Sequence, residues 1–156
     1  MTEKMYISGK CFCGQISVEG RVSKHRVVAC HCKDCQKFSG APFRSIAVIP
    51  KEDLIIIGEV TEYQKIADSG NARLQGFCGR CGTQLYATGP DKELFNVRAG
   101  FLDQHNDLQP VTHIFSKSSP KWVGKIKNGV WLNEGPNSQE VDSERLFSED
   151  KDKLHY

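Results

Sequence analysis

The sequence predicts a mainly β protein with little helix. Short runs rich in β-branched and aromatic residues recur along it, Gly, Pro or Asp bounds them, and segments with a helical apolar period are scarce. Residues 16–19 (Ile-Ser-Val-Glu) alternate apolar and polar, as a half-buried strand does. Strands are likewise expected at 26–29, 43–49, Leu54–Ile57 and Val60–Ile66, with Gly58-Glu59 read as a hairpin turn between the last two. Further on, 84–87, 94–99 and 113–115 continue the pattern, and fourteen glycines suit a chain with many tight turns. Helix is expected only as a short turn at 33–38 and as a weak candidate at 143–147.

The length of 156 residues argues for one domain, expected to span 1–130, with 131–156 as an acidic C-terminal extension. Apolar residues make up 38% of the chain and charged ones 26%, a globular balance and not a disordered one. With 21 basic and 19 acidic residues the net charge is +2, which excludes a general nucleic-acid binder. Lys117, Lys121, Lys125 and Lys127 form a basic segment, and acidic residues dominate 134–152; a solvated face followed by a tail accounts for both. No apolar run approaches the ~18 residues of a membrane span. The first residues carry no apolar signal segment, so a cytoplasmic protein is expected.

Seven cysteines decide where to look for chemistry. An odd number cannot all pair internally, and a core of this size does not need disulfides. They fall into three groups, Cys11 and Cys13, then Cys30, Cys32 and Cys35, then Cys78 and Cys81. Structural zinc takes four ligands in a tetrahedron, and Cys-x-Cys or Cys-x-x-Cys spacings put two sulfurs on one tight turn. Cys78-Gly79-Arg80-Cys81-Gly82 is a strong instance, because its glycines let the turn fold back and backbone N–H groups approach the sulfurs. Two partitions are open. Cys78 and Cys81 could close a site with Cys32 and Cys35, or with Cys11 and Cys13. The second accounts for all seven as four plus three, with Cys30, Cys32 and Cys35 on one compact turn.

Three ligands leave a fourth position open, the feature that separates catalytic from structural zinc. Three thiolates on a doubly charged ion leave the complex at −1, which blunts its Lewis acidity unless a cation such as Lys33 or Arg44 lies nearby. Such a site suits a substrate thiolate, since zinc favours sulfur and deprotonates a coordinated thiol. His31, between Cys30 and Cys32, is a candidate for a fourth ligand, but neighbours in extended chain point to opposite sides. His113, in an apolar run, reads as a hydrogen-bonded core residue, and His25, His105 and His155 carry no signal. Iron in the four-cysteine site is the alternative to zinc.

Three motifs in this order resemble one family. Gly9-Lys10-Cys11-Phe12-Cys13-Gly14, Cys30-His31-Cys32-Lys33-Asp34-Cys35 running on to Ser39-Gly40-Ala41-Pro42, and Phe77-Cys78-Gly79-Arg80-Cys81-Gly82 resemble the glutathione-dependent formaldehyde-activating enzymes, also called the centromere protein V family. Val97-Arg98-Ala99-Gly100-Phe101-Leu102-Asp103 and His113-Ile114-Phe115-Ser116-Lys117 up to Trp122 look like its closing signatures. The resemblance implies an Mss4-like fold of small packed sheets around a zinc ribbon. It implies Cys11, Cys13, Cys78 and Cys81 as structural zinc ligands, and Cys30, Cys32 and Cys35 as ligands of a catalytic zinc. It also implies a carbon–sulfur lyase with a glutathione-like thiol and a small aldehyde such as formaldehyde as substrates. Membranes and nucleic acids are not expected partners. Two rivals stand beside this reading, a non-catalytic zinc-ribbon binding module and a thiol redox enzyme. The redox enzyme would need a separate reactive cysteine downstream of Cys81, where the chain has none.

Overall fold

In chain order the strands and helices of a computed structural model, which describes residues 3–148, are β1 (Lys4–Lys10), β2 (Ser17–Ser23), β3 (Val27–Cys30), α1 (Lys33–Ser39), β4 (Arg44–Pro50), β5 (Leu54–Ile57), β6 (Val60–Ile66), β7 (Ala72–Cys78), β8 (Gln84–Thr88), β9 (Leu94–Arg98) and β10 (Thr112–Ile114). After them come β11 (Trp131–Leu132), β12 (Glu140–Val141) and α2 (Ser143–Leu146). The chain divides into two units, one ending at Ser119 and one beginning at Pro120. The second unit holds a 3-10 turn at Lys121–Asn128, the β11–β12 pair and α2, with Trp131 edge-on to Phe147 at 4.9 Å between ring centres. His155 and the end of the acidic tail lie outside the described residues.

The first unit is two sheets. One is ordered β1-β2-β5, and the other β10-β3-β4-β9-β8-β7-β6. All pairings are antiparallel except β10 with β3. The core between them is aliphatic: Ile7, Ile16, Val18, Val27, Ala47, Ile49, Leu85 and Val97 are each at most 2% exposed. Alternation explains how one strand serves two layers. On β4, Ala47 and Ile49 join the main core, while Ile46 joins a smaller cluster with Cys30 and Cys35 on the opposite face.

The expected hairpin at Gly58-Glu59 does not form. β5 pairs with β2, Ser17 opposite Ile57, whereas β6 pairs with β7 in the other sheet. The chain turns a corner here: Gly58 adopts φ +113°, and a Cβ on it would meet the carbonyl oxygen of Gln15 at 2.7 Å. That geometry carries the two runs apart and leaves the edge of β2 to β5.

Tyr86 anchors the β6–β7–β8 end of the large sheet. Its ring lies over Gly76, where a Cβ would come within 2.5 Å, and stands edge-on to Phe95 at 5.0 Å. Its hydroxyl donates to Glu62 Oε1 at 2.6 Å, and Lys92 Nζ lies 2.9 Å from the same oxygen. Burial works to raise the Glu62 carboxyl, but Lys92 and then Tyr86 outweigh it and hold it below its ordinary 4.5. A depressed carboxyl contributes stability that is present above its unfolded pKa and lost as pH falls through the folded value. Tyr86→Phe is therefore expected to cost about 1–2 kcal/mol at pH 7, a range reduced for the partial exposure of Glu62. The difference from wild type should narrow below about pH 4 in urea titrations; an equal difference from pH 3 to 7 would contradict it.

Candidate metal centres

Two hairpin loops bring four cysteines together. The loop after β1 turns with Gly14 N–H donating to the Cys11 carbonyl at 2.8 Å, and the loop after β7 turns with Gly82 N–H donating to the Cys78 carbonyl at 2.8 Å. Both glycines sit in the left-handed region, at φ +78° and +77°, so each loop reverses tightly enough to aim two sulfurs one way. A cross-link joins the loops, from Phe12 N–H to Thr83 Oγ1 at 2.9 Å. The sulfurs of Cys11, Cys13, Cys78 and Cys81 lie within 4.8 Å of one another. Cys11 Sγ is 3.6 Å from Cys13 Sγ, which is 3.7 Å from Cys78 Sγ. Zinc–sulfur bonds of ~2.3 Å give a tetrahedron with edges of ~3.8 Å, so this donor set fits the ion.

Backbone N–H groups and hydroxyls already tune these sulfurs. Ile16 N–H donates to Cys11 Sγ at 3.2 Å, and Cys81 Sγ lies 3.2 Å from Thr83 Oγ1. The Thr83 hydroxyl and N–H pull Cys81 down to about 5. At Cys13 the Gln15 N–H also pulls down, but burial and the crowd of sulfurs win and leave the thiol raised to about 11. Four thiolates crowded this closely would repel one another, and a dication among them would offset that repulsion.

Cys30, Cys32 and Cys35 come together at the junction of β3 and α1, their sulfurs also within 4.8 Å of one another. Cys30 ends β3, and Cys32 is the N-cap of α1, its Sγ accepting from Cys35 N–H at 3.3 Å. Cys35, one turn in, is buried. Gly40 at φ +69° ends the helix, and Ser39 Oγ donates to the Cys35 carbonyl at 2.6 Å while accepting from Ala41 N–H at 3.1 Å. Gln36 Nε2 fixes the approach by donating to the carbonyls of His31 and Ser118, each at 2.8 Å. Among the described residues no fourth histidine, cysteine or carboxylate joins this group.

His31 points away from it. Its Nε2 is 2.9 Å from His113 Nδ1, and its ring packs on Phe43 at 5.0 Å. Burial, then the charge of His113, holds its pKa below the ordinary value. His113 is hydrogen-bonded as expected but is exposed and not in the core, because β10 is a three-residue edge strand. With Phe43, Ser45, His105 and Leu108 it lines a cleft of ≈ 450 Å³. Of the two cations the sequence put near the trio, Lys33 is exposed and Arg44 is buried against it.

A family model for the glutathione-dependent formaldehyde-activating enzymes matches residues 6–118. The chain belongs to this family. Relatives from Aspergillus flavus and Aspergillus oryzae, provisionally named as such enzymes, are each 32% identical over 108 residues, 64% of this chain and 55% of theirs. A similarly named Fusarium vanettenii protein is 35% identical over 81 residues, 49% of this chain and 42% of its own. The chain thus spans about half the length of the curated relatives it matches. A crystal structure of a Rhodobacter sphaeroides protein matches with a TM-score of 0.53 at 21% identity, over 68% of this chain and 98% of that one. The fold is the mainly β, Mss4-like one the resemblance implied.

Beside Arg44, which the sequence had offered, the trio of this family member has polar neighbours that spacing did not reveal. Arg44 Nη1 donates to Gln75 Oε1 at 3.3 Å and Gln84 Oε1 at 3.2 Å, and Arg98 Nη2 donates to Gln75 Oε1 at 2.9 Å. Gln84 Nε2 reaches the Phe38 carbonyl at 2.6 Å, which ties the end of α1 to β8. The available signal was an arginine at each of two positions inside apolar strand runs, where a charge is costly without a purpose.

Proposed function

We propose that this protein is a zinc-dependent carbon–sulfur lyase, which joins a glutathione-like thiol to a small aldehyde such as formaldehyde to give an S-hydroxymethyl adduct. In this reading two zinc ions bind per chain. Cys11, Cys13, Cys78 and Cys81 hold one that stabilises the fold, and Cys30, Cys32 and Cys35 hold one that serves the reaction. One observation carries the proposal: four sulfurs form one group and three form another that has no further donor among the described residues. Family membership and the names of the relatives support the choice of substrates.

The reaction forms one C–S bond. The carbonyl π pair moves to oxygen, and the proton lost by the thiol ends on that oxygen as a hydroxyl. Zinc held by the trio would supply affinity for sulfur and a lowered thiol pKa. The chain's own part is to hold that position rigidly. Helix α1 fixes Cys32 and Cys35 one turn apart, and Gln36 clamps His31, just ahead of the helix, to the distant Ser118. Burial of Cys30 and Cys35 keeps water from two of the three sulfurs, leaving the half-buried Cys32 side as the approach.

The test is adduct formation from formaldehyde and glutathione, followed by exchange NMR. The metal-loaded protein is expected to accelerate it at least about tenfold over buffer, and chelator treatment should return the rate to that of buffer. An unaccelerated rate with two ions bound would overturn the substrate assignment. A single tightly held ion per chain would instead favour a non-catalytic zinc-ribbon module.

A further inference from the structure

Arg44 and Arg98 are 7% and 6% exposed, yet no carboxylate of the described residues forms an ion pair with either; the five ion pairs there all use lysines. Their hydrogen-bond partners, Gln75 and Gln84, are neutral amides, and the Nε of each guanidinium is buried without a partner. Two cations buried beside neutral groups need a negative charge close by. Topology supplies one. Cys30 stands opposite Arg44 across β3 and β4, and Ile46, two positions along β4 on the same face, stands opposite Arg98. Both arginines therefore share the sheet face that carries the three-cysteine group.

We propose that Arg44 and Arg98 are the built-in counter-charge of the three-cysteine site, and that they make its open position select an anionic ligand, a thiolate, over a neutral one. The inference rests on the trio being a metal site. A dication with three thiolates carries −1, and a thiolate in the fourth position brings it to −2 in a buried setting. With two guanidiniums included, the same step runs from +1 to neutral, so attraction replaces repulsion. The four-cysteine group has no such pair; there Cys13 is exposed and water screens the charge. Arg44 and Arg98 are thus positioning residues for the charge of the substrate.

Cobalt(II)-substituted full-length protein tests this, with two probes each titrated at pH 8 by the cobalt absorption bands. 2-Mercaptoethanol, which binds as its thiolate and releases a proton to buffer, is the probe that is anionic when bound, and imidazole is the neutral one. Arg98→Met is expected to weaken 2-mercaptoethanol binding about tenfold or more and to change imidazole binding by less than about twofold. Arg98→Lys should recover most of the loss. Arg44→Gln, which removes the charge but keeps an N–H donor, should show the same selectivity and serves where Arg98→Met does not fold. Equal losses for both probes, or no loss for either, would overturn the proposal while leaving the metal site standing. A wild-type protein that takes up no cobalt at the trio would overturn the metal reading and this inference together.

Discussion

Cys78→Ser is expected to lose one metal ion and at least about 10 °C of Tm, taking roughly 2–4 °C per kcal/mol for a chain of this size. The thiol is 1% exposed, ends β7, belongs to the main core, and lies 3.7 Å from Cys13 Sγ. On the proposed assignment its loss has three parts. A ligand is removed from a site of a kind that contributes ~10–16 kcal/mol of apparent binding energy in small zinc domains. A hydroxyl takes the place of a buried sulfur, and the β7–β8 loop is left tied to the loop after β1 mainly by the Phe12–Thr83 hydrogen bond. A whole domain holds only ~5–15 kcal/mol of net stability, so even a fraction of the first part dominates. Thermal unfolding and metal analysis on the same sample check this. Wild-type Tm with two ions retained would remove Cys78 from the structural set. Chelation of the wild-type protein should lower Tm in the same direction, because an ion that binds only the folded state stabilises by mass action.

The groups of cysteines were legible because spacing decides which sulfurs can share a turn: two sulfurs on one tight turn need one or two residues between them and a glycine to close the loop. Cys11-Phe12-Cys13-Gly14 and Cys78-Gly79-Arg80-Cys81-Gly82 carry that in sequence, and both glycines sit at positive φ. Strands with strong β-branched content were legible for the same local reason. What depends on distant partners was not. β1 and β7 carry mixed polar residues, Lys4–Lys10 and Ala72–Cys78, and become strands because neighbouring edges need pairing. The corner at Gly58 looks like a hairpin locally and is decided by the competing edge of β2. Arg44, Gln75 and Arg98 lie on three strands far apart in sequence, and only the sheet order brings them to one face.

Cys32→Ser is the sharpest separation of function from fold that the structure offers. On the proposed assignment Cys32 is a ligand, and it doubles as the N-cap of α1, where its sulfur accepts from Cys35 N–H. Serine is among the preferred residues at that position, so its hydroxyl takes over the cap and the helix is expected to hold, within about 0.5 kcal/mol. Cys32 is also half-buried and lies at the edge of the small cluster of Cys30, Cys35 and Ile46, outside the main core. A serine there leaves no cavity and no stranded polar group. Chemically the change is severe, because a neutral hydroxyl is a poor ligand for an ion that favours thiolates. The metal-free variant should therefore unfold within about 2 °C of the metal-free wild type. The loaded variant should bind one metal ion in place of two, lose only the mass-action stabilisation of that one ion, and form the thiol–aldehyde adduct at the rate of buffer. Retention of both ions and full activity would mean that the three-cysteine group is not the site. Loss of Tm by as much as Cys78→Ser would mean that the trio holds the fold as well, and the division into four and three would lose its functional meaning.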